Sequence, residues 1–149
     1  MKILLCVDGS KESGKALDKT IEIASGCRID RVAILNVFER VSFPMVTEGS
    51  HDFDPEIMES YQQMNDELLK EHEQVLEKAA DRLREAGIDP EKMLKEGHPA
   101  HTISQAAEEN GFDLIIIGSR GQSGLKKALL GSVSNTVLQE TNISVLVVK

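Results

Sequence analysis

This chain alternates short apolar runs with segments of helical periodicity, and that alternation limits it to a small set of folds. Each run is too short for a helix. A continuous apolar run that forms a strand places apolar side chains on both faces of the sheet. This pattern is typical of a parallel sheet that helices cover on both sides. The predicted strands are residues 2–7, 31–37, 92–96, 113–117 and 143–148. Residues 92–96 are the least apolar of the five, and the other four resemble interior strands.

Amphipathic helical patterns occupy the segments between these strands. The first predicted helix follows its N-cap Ser10 and stops near Gly26, and the others cover residues 55–86, 100–110 and 132–140. In the longest helix, apolar side chains at steps of three and four are predicted to face the core. This stripe comprises Ile57, Tyr61, Met64, Leu68, Val75, Ala79, Leu83 and Ala86, with His72 beside them as a packed or boundary histidine. Residues 39–54 have no period and are predicted to form a loop.

The resulting order is βαβαβαβαβ, which is typical of a parallel sheet between two layers of helices. We therefore expect an α/β three-layer sandwich with a five-stranded parallel sheet. The chain has 149 residues, enough for one sizeable core, and it contains no repeat, linker or low-complexity tract. The sequence predicts a single domain over residues 1–149.

Charge and composition exclude several classes of partner. The chain carries 17 basic and 25 acidic side chains and a net charge of −8, which argues against a nucleic acid as the main partner. No apolar run approaches the length of a membrane span, and the N-terminus lacks the features of a secretion signal, so we expect a cytoplasmic protein. Cys6 and Cys27 lack the spacing of a metal site and are predicted to be free thiols.

A glycine-rich segment follows the fourth predicted strand. Gly118, Gly121 and Gly131 are spaced so that two residues separate the first pair and nine the second, and Ser132 then opens a helix. Glycines permit positive φ and close approach to a ligand, and a helix N-terminus presents free N–H groups to an anion. The pattern favours a phosphate site, although an inert turn would use the same residues.

The position of these glycines in the expected fold favours the site. Ligands of open α/β sheets bind beyond the carboxyl ends of the strands, where the strand order reverses. In the order 3-2-1-4-5, Asp8 at the end of strand 1 would face Gly118 across that crevice. The sequence lacks the phosphate loops of P-loop and dinucleotide-binding proteins. It also lacks the acidic cluster of a receiver domain, because Asp8 stands alone and strand 3 ends in Glu96-Gly97.

Over nearly its whole length the chain resembles the universal stress protein family. The first strand closes with Val7-Asp8-Gly9-Ser10, and Glu96-Gly97-His98-Pro99 resembles the family's turn into the third helix. Residues 113–121 and 130–134 are similar to its ATP-binding signature, G-x2-G-x9-G-S/T, and the tail at residues 145–148 also fits. The resemblance implies the Rossmann-like, adenine nucleotide alpha hydrolase-like fold with strand order 3-2-1-4-5.

The resemblance also implies roles for individual residues around an ATP molecule with Mg or Mn. Asp8 would lie near the ribose and triphosphate and would contact the metal through ATP, and Val37 would contact adenine. The remaining implied ligand contacts are Ile117 and Gly118 at the nucleoside, and Gly121, Gly131, Ser132, Val133 and Ser134 at the phosphates. Arg120 either reaches phosphate oxygens or is solvated. The family often has Pro where this chain has Cys6, which puts the adenine edge in doubt.

Three functions remain open. The family resemblance favours an ATP-binding, stress-associated switch or binding module that forms a homodimer through Ser144–Val148, an apolar edge strand. An enzyme that slowly hydrolyses ATP or phosphorylates itself is the second possibility, although no water-orienting base is evident. The third is an interaction module that works through the acidic long helix without nucleotide.

Overall fold

Nine elements alternate along the part of the chain that the structure describes, as the sequence predicts. The computed structural model describes residues 1–42, 55–122 and 130–149. The elements are β1 (Lys2–Cys6), α1 (Lys11–Gly26), β2 (Arg31–Phe38), α2 (Pro55–Glu85), β3 (Glu91–Glu96), α3 (Pro99–Glu109), β4 (Leu114–Gly118), α4 (Ser132–Glu140) and β5 (Ser144–Val148). Most of the predicted 39–54 loop lies outside the described residues, as does the middle of the glycine-rich segment.

The five strands form one parallel sheet in the order β3-β2-β1-β4-β5, so the predicted α/β fold is confirmed. Central β1 pairs with β2 on one side and with β4 on the other, where Leu4 lies opposite Ile115. The two edges differ in composition. β3 has Glu or Lys at four of its six positions, whereas β5 is Ser-Val-Leu-Val-Val.

Alternating side chains of the strands form two cores, one on each face of the sheet. On one face, Ile3 and Leu5 pack with the buried residues of α1 and α2. On the other face, Leu4 and Leu35 pack with α3 and α4. Because the strands are apolar on both faces, each face needs a helical layer to remove it from water, which accounts for the three-layer architecture.

The predicted core stripe of α2 is wrong in its first half. Ile57 and Met64 are 46% and 49% exposed, and the buried residues lie near the other end of the helix, at Leu76, Ala79, Ala80 and Leu83. The helix has 31 residues and is about 46 Å long. The eight residues of β2, the longest strand, span only about 26 Å, so much of α2 extends beyond the sheet. Ala86 follows the helix and is also exposed.

The start of α1 is fixed as expected. The Ser10 hydroxyl accepts a hydrogen bond from the Ser13 amide at 3.1 Å and caps the helix. The helix includes Gly26, and its C-cap is Cys27, one residue after the predicted stop. None of the described helices combines the length and apolar character needed to cross a membrane.

Candidate functional site

A cavity opens at the carboxyl ends of β1 and β4, where the strand order reverses. Its wall contains all ten residues predicted for the site: Asp8, Val37, Ile117, Gly118, Arg120, Gly121, Gly131, Ser132, Val133 and Ser134. The fold therefore brings together two segments that are more than 100 residues apart in sequence. Nucleotide contact by these residues remains a prediction.

One half of the cavity is apolar. Leu35 and Val37 on β2 face it together with Ile117 on β4, and Ile103 covers them from α3. Sequence reasoning missed Val7, Ser13, Leu35, Pro99 and Ile103 as lining residues. Leu35 could have been found, because it lies two residues before Val37 and therefore points to the same face of the sheet.

The main chain of Val37 provides polar groups at the edge of this apolar half. The Leu35 carbonyl accepts from the Val7 amide on the β1 side, and the Phe38 carbonyl accepts from Gly97 on the β3 side. Backbone groups alternate along a strand, so Val37 directs its N–H and C=O towards β1, like Leu35. Pairing between β1 and β2 ends at Cys6 and Leu35. The Val37 amide and carbonyl thus face the crevice beyond the end of the ladder.

The other half of the cavity is formed by the start of α4. Gly131 is the N-cap, and no side chain caps this helix. The amides of Ser132, Val133 and Ser134 belong to the first turn, which has no intrahelical carbonyl to bind. The Ser134 hydroxyl is already bonded to the carbonyls of Ser119 at 3.0 Å and Gly131 at 3.1 Å. Ser134 therefore offers a ligand its amide rather than its hydroxyl.

The signature glycines do not use the positive φ that glycine permits. Gly131 has φ −73°, and the described glycines with positive φ are instead Gly9, Gly87, Gly97 and Gly111. Glycine is needed at the signature positions because neighbouring atoms are close. A Cβ on Gly118 would lie 2.7 Å from the Glu12 carbonyl carbon, and one on Gly121 would lie 2.7 Å from Asp8 Oδ2.

Gly131, which is predicted to hold phosphates, lies close to the end of β4. A Cβ there would lie 3.3 Å from Arg120 Cα. Its amide donates to the Ser119 carbonyl at 2.7 Å, which joins the start of α4 to the end of β4. Because this amide is already bonded, the free amides nearest to it are those of the first turn of α4. Phosphate contact by Gly131 stays a prediction.

Asp8 is the acidic residue of the cavity wall, as far as the described residues show. Its Oδ1 accepts from the Ser10 amide at 2.9 Å, and its Oδ2 faces Gly121. Burial, reinforced by the nearby Asp8 carboxylate, raises the pKa of the Cys6 thiol to about 12. Cys6 is therefore a neutral thiol at physiological pH and packs as a small apolar side chain.

A buried donor in the cavity wall is unpaired. Arg120 Nε has almost no solvent exposure and no hydrogen-bond partner within the described ranges. A guanidinium donor left unpaired at this depth is costly. Because solvent in the cavity does not reach this atom, it does not decide between the two alternatives for Arg120, and phosphate contact stays a prediction.

The donors in this cavity suit a metal that arrives with its ligand. Over residues 1–42, 55–122 and 130–149, no group of three or more His, Cys, Asp and Glu side chains could hold a metal ion. A single carboxylate, that of Asp8, lies beside the uncapped helix. Mg²⁺ commonly binds through one or two carboxylates together with substrate phosphates and water. The residues present therefore fit Mg²⁺ bound as part of a metal–phosphate complex.

His72 lies on the opposite face of the sheet from the apolar half of the cavity. Its Nδ1 is hydrogen-bonded to Oδ1 of Asn36, a residue that is 1% exposed, and its ring lies 5.6 Å from that of Phe38. Burial lowers the pKa of His72, and Glu71 and Asp8 partly offset this. The histidine is packed, as predicted, and Asn36 is the polar partner that sequence reasoning missed.

Comparison with known proteins agrees with this fold. A model of the Universal stress protein family matches residues 1–149. Universal stress protein YxiE of Bacillus subtilis (strain 168) is 36% identical over 149 residues, covering 99% of this chain and 98% of YxiE. Universal stress protein MJ0577 of Methanocaldococcus jannaschii is 30% identical over 154 residues, covering 99% of this chain and 94% of MJ0577.

Solved structures share the architecture. That of MJ0577 has a TM-score of 0.82 at 28% identity and covers 99% of this chain and 94% of its own. A universal stress protein in complex with cAMP has a TM-score of 0.67 at 24% identity and coverages of 100% and 97%. An Arabidopsis thaliana member with AMP bound has a TM-score of 0.64 at 18% identity and coverages of 100% and 91%. By fold and by sequence over its full length, the chain belongs to the universal stress protein family.

Proposed function

We propose that this chain binds ATP, with Mg or Mn, in the cavity between β1 and β4, and acts as a nucleotide-dependent binding module in a cytoplasmic stress response. The observation that carries the proposal is the division of one cavity into an apolar half and an amide-rich half. An adenine ring suits the first, and phosphates suit the uncapped start of α4. Family members with cAMP and AMP bound support the nucleotide class.

The Val37 main chain supports adenine over guanine. Its N–H and C=O can pair with the ring nitrogen acceptor and amino donor on one edge of adenine. Guanine presents a donor and an acceptor in the reverse order at the same positions, so both backbone groups would lose their partners. Sites that hydrogen-bond a ligand reject an analogue that leaves buried polar groups unpaired.

Release of bound nucleotide and direct titration together test the proposal. Freshly purified protein is denatured and the supernatant is assayed for nucleotides. Nucleotide-free protein is then titrated calorimetrically with ATP, AMP, cAMP and GTP, each with and without MgCl₂. We expect saturable binding of ATP and a higher affinity in the presence of Mg²⁺. GTP should bind more weakly than ATP. Absence of binding at millimolar ATP with Mg²⁺ would rule out the proposal.

We further propose a homodimer formed along β5. This strand is an edge of the sheet, its four apolar residues are half-buried, and an apolar unpaired edge is a site of strand addition. Sedimentation velocity at micromolar concentration should give the mass of two chains. A monomer across that range would contradict the proposal without affecting the nucleotide site.

A further inference from the structure

The two walls of the crevice are fastened to each other by contacts outside the cavity lining. We define the β1 exit as Asp8–Ser10 and the β4 exit as residues 119–122. The Gln122 side-chain amide donates to the Asp8 carbonyl, and the Ser10 hydroxyl donates to the Arg120 carbonyl at 3.4 Å. Gln122 itself is exposed and is absent from the cavity wall.

These contacts join the two exits at a level where β1 and β4 are no longer paired. The β1–β4 register ends at Leu5 and Ile116, three residues before Asp8. Beyond that point the strand ladder does not set the distance between the two exits. A side-chain hydrogen bond from one exit to the backbone of the other therefore bears directly on the width of the crevice.

The β4 exit is also joined to the phosphate-facing end of α4. The Ser119 carbonyl accepts both the Gly131 amide at 2.7 Å and the Ser134 hydroxyl at 3.0 Å. Residue 119 and the first turn of α4 thus form one hydrogen-bonded unit. Gln122 ties that unit to Asp8, the carboxylate on the opposite wall.

We propose that Gln122 is a positioning residue that sets the distance between Asp8 and the start of α4, and so tunes affinity for the phosphates rather than for the nucleoside. This inference rests on the proposed nucleotide function. The apolar half, with Val37 and Ile103, lies on β2 and α3, which Gln122 does not contact through any hydrogen bond described. Loss of the Gln122–Asp8 hydrogen bond should therefore weaken binding of the phosphates more than binding of the nucleoside.

The test compares Gln122→Met, which keeps the length of the side chain and removes the donor, with Gln105→Met as a matched control. Gln105 lies exposed on α3, and its amide donates to Glu109 at 2.7 Å, remote from the exits. Dissociation constants for ATP with Mg²⁺ and for adenosine are measured by calorimetry. Hydrogen exchange of the nucleotide-free proteins is measured by mass spectrometry on peptides that contain the two exits.

We expect Gln122→Met to weaken ATP binding about 3- to 10-fold, the range for loss of one neutral hydrogen bond, and to change adenosine binding less than about twofold. Peptides from both exits should exchange faster in this variant, and Gln105→Met should match the parent protein in every measurement. Equal weakening of ATP and adenosine, or no change in ATP binding, would overturn the inference.

The exchange measurement separates this inference from the proposed function. If the parent protein binds no nucleotide but Gln122→Met still accelerates hydrogen exchange at the two exits, the proposed function is rejected. The structural role of the Gln122–Asp8 hydrogen bond is then supported. If the parent protein binds ATP and Gln122→Met alters neither ATP affinity nor hydrogen exchange, the positioning role of Gln122 is rejected and the proposed function is retained.

Discussion

Two glycines of one signature should respond differently to the same substitution. In Gly118→Ala, the new Cβ would lie 2.7 Å from the Glu12 carbonyl carbon and 2.9 Å from the Ser13 amide nitrogen. Both atoms belong to the backbone of the first turn of α1, which cannot move without disturbing its cap and its packing on the sheet. In Gly121→Ala, the closest atom is instead the end of a side chain, Asp8 Oδ2, at 2.7 Å.

The expected magnitudes follow from what must move. Overpacking against fixed backbone costs about 1–3 kcal/mol, so Gly118→Ala should lower the Tm by about 2–12 °C in a chain of this size. Rotation of the Asp8 side chain costs about 0.5–1.5 kcal/mol, so Gly121→Ala should lower the Tm by about 1–6 °C, less than Gly118→Ala. Displacement of that carboxylate should instead weaken ATP–Mg binding roughly 10- to 100-fold, as expected for one lost contact to a charged group.

Calorimetric melting and ATP titration on the same preparations check both halves of this prediction. The matched control is Gly14→Ala, because Gly14 lies inside α1 and a Cβ there would meet no atom within 4 Å beyond the backbone of its own helix. That change should stabilise the protein by about 0.5–1 kcal/mol and leave ATP binding unaltered. The steric explanation of the signature would be refuted if Gly118→Ala melted like the parent protein, or if Gly121→Ala bound ATP with parental affinity.

Further predictions concern the cap of α1, the half-buried His72 and the two halves of α2. Ser10→Ala removes the cap from α1 and should lower the free energy of unfolding in urea by about 1 kcal/mol. Burial lowers the pKa of His72 below 6.5, so the unfolded chain binds more protons than the folded one below about pH 6.5. The free energy of unfolding should therefore fall as the pH drops below that value. His72→Gln should reduce the pH dependence of the urea midpoint between about pH 5 and 7. Leu83→Ala should cost about 2–5 kcal/mol in urea unfolding, whereas Met64→Ser should stay within about 0.5 kcal/mol of the parent.

Much of the fold and the composition of the site could be predicted from local patterns. The strands and helices follow from periodicity, and the strand order 3-2-1-4-5, implied by the family resemblance, places the ends of β1 and β4 at one crevice. Asp8 follows β1 by two residues and Gly118 ends β4, so their proximity follows once the order of strands is known. Glycine spacing then identifies the segment that returns to the same crevice at Gly131.

The features that sequence missed depend on how elements lie against each other. The predicted apolar stripe of α2 has the same periodicity along the whole helix, and it does not distinguish Leu83, which is buried against the sheet, from Met64, which is exposed. Likewise, Gly118 lacks a side chain because the first turn of α1 lies against it, which no pattern around residue 118 records. Asn36 did give a signal, since an amide inside an apolar strand needs a partner, but the sequence does not indicate which residue of α2 provides one.

The unlike edges of the sheet limit how far these molecules can associate. A second copy that adds along β5 uses the apolar edge of both molecules at once and leaves only the β3 edges facing outward. Those edges carry Glu91, Lys92, Lys95 and Glu96, and charged side chains on an edge strand discourage further pairing. If the proposed β5 dimer forms, strand addition would therefore stop at a closed pair and would not grow into a fibre.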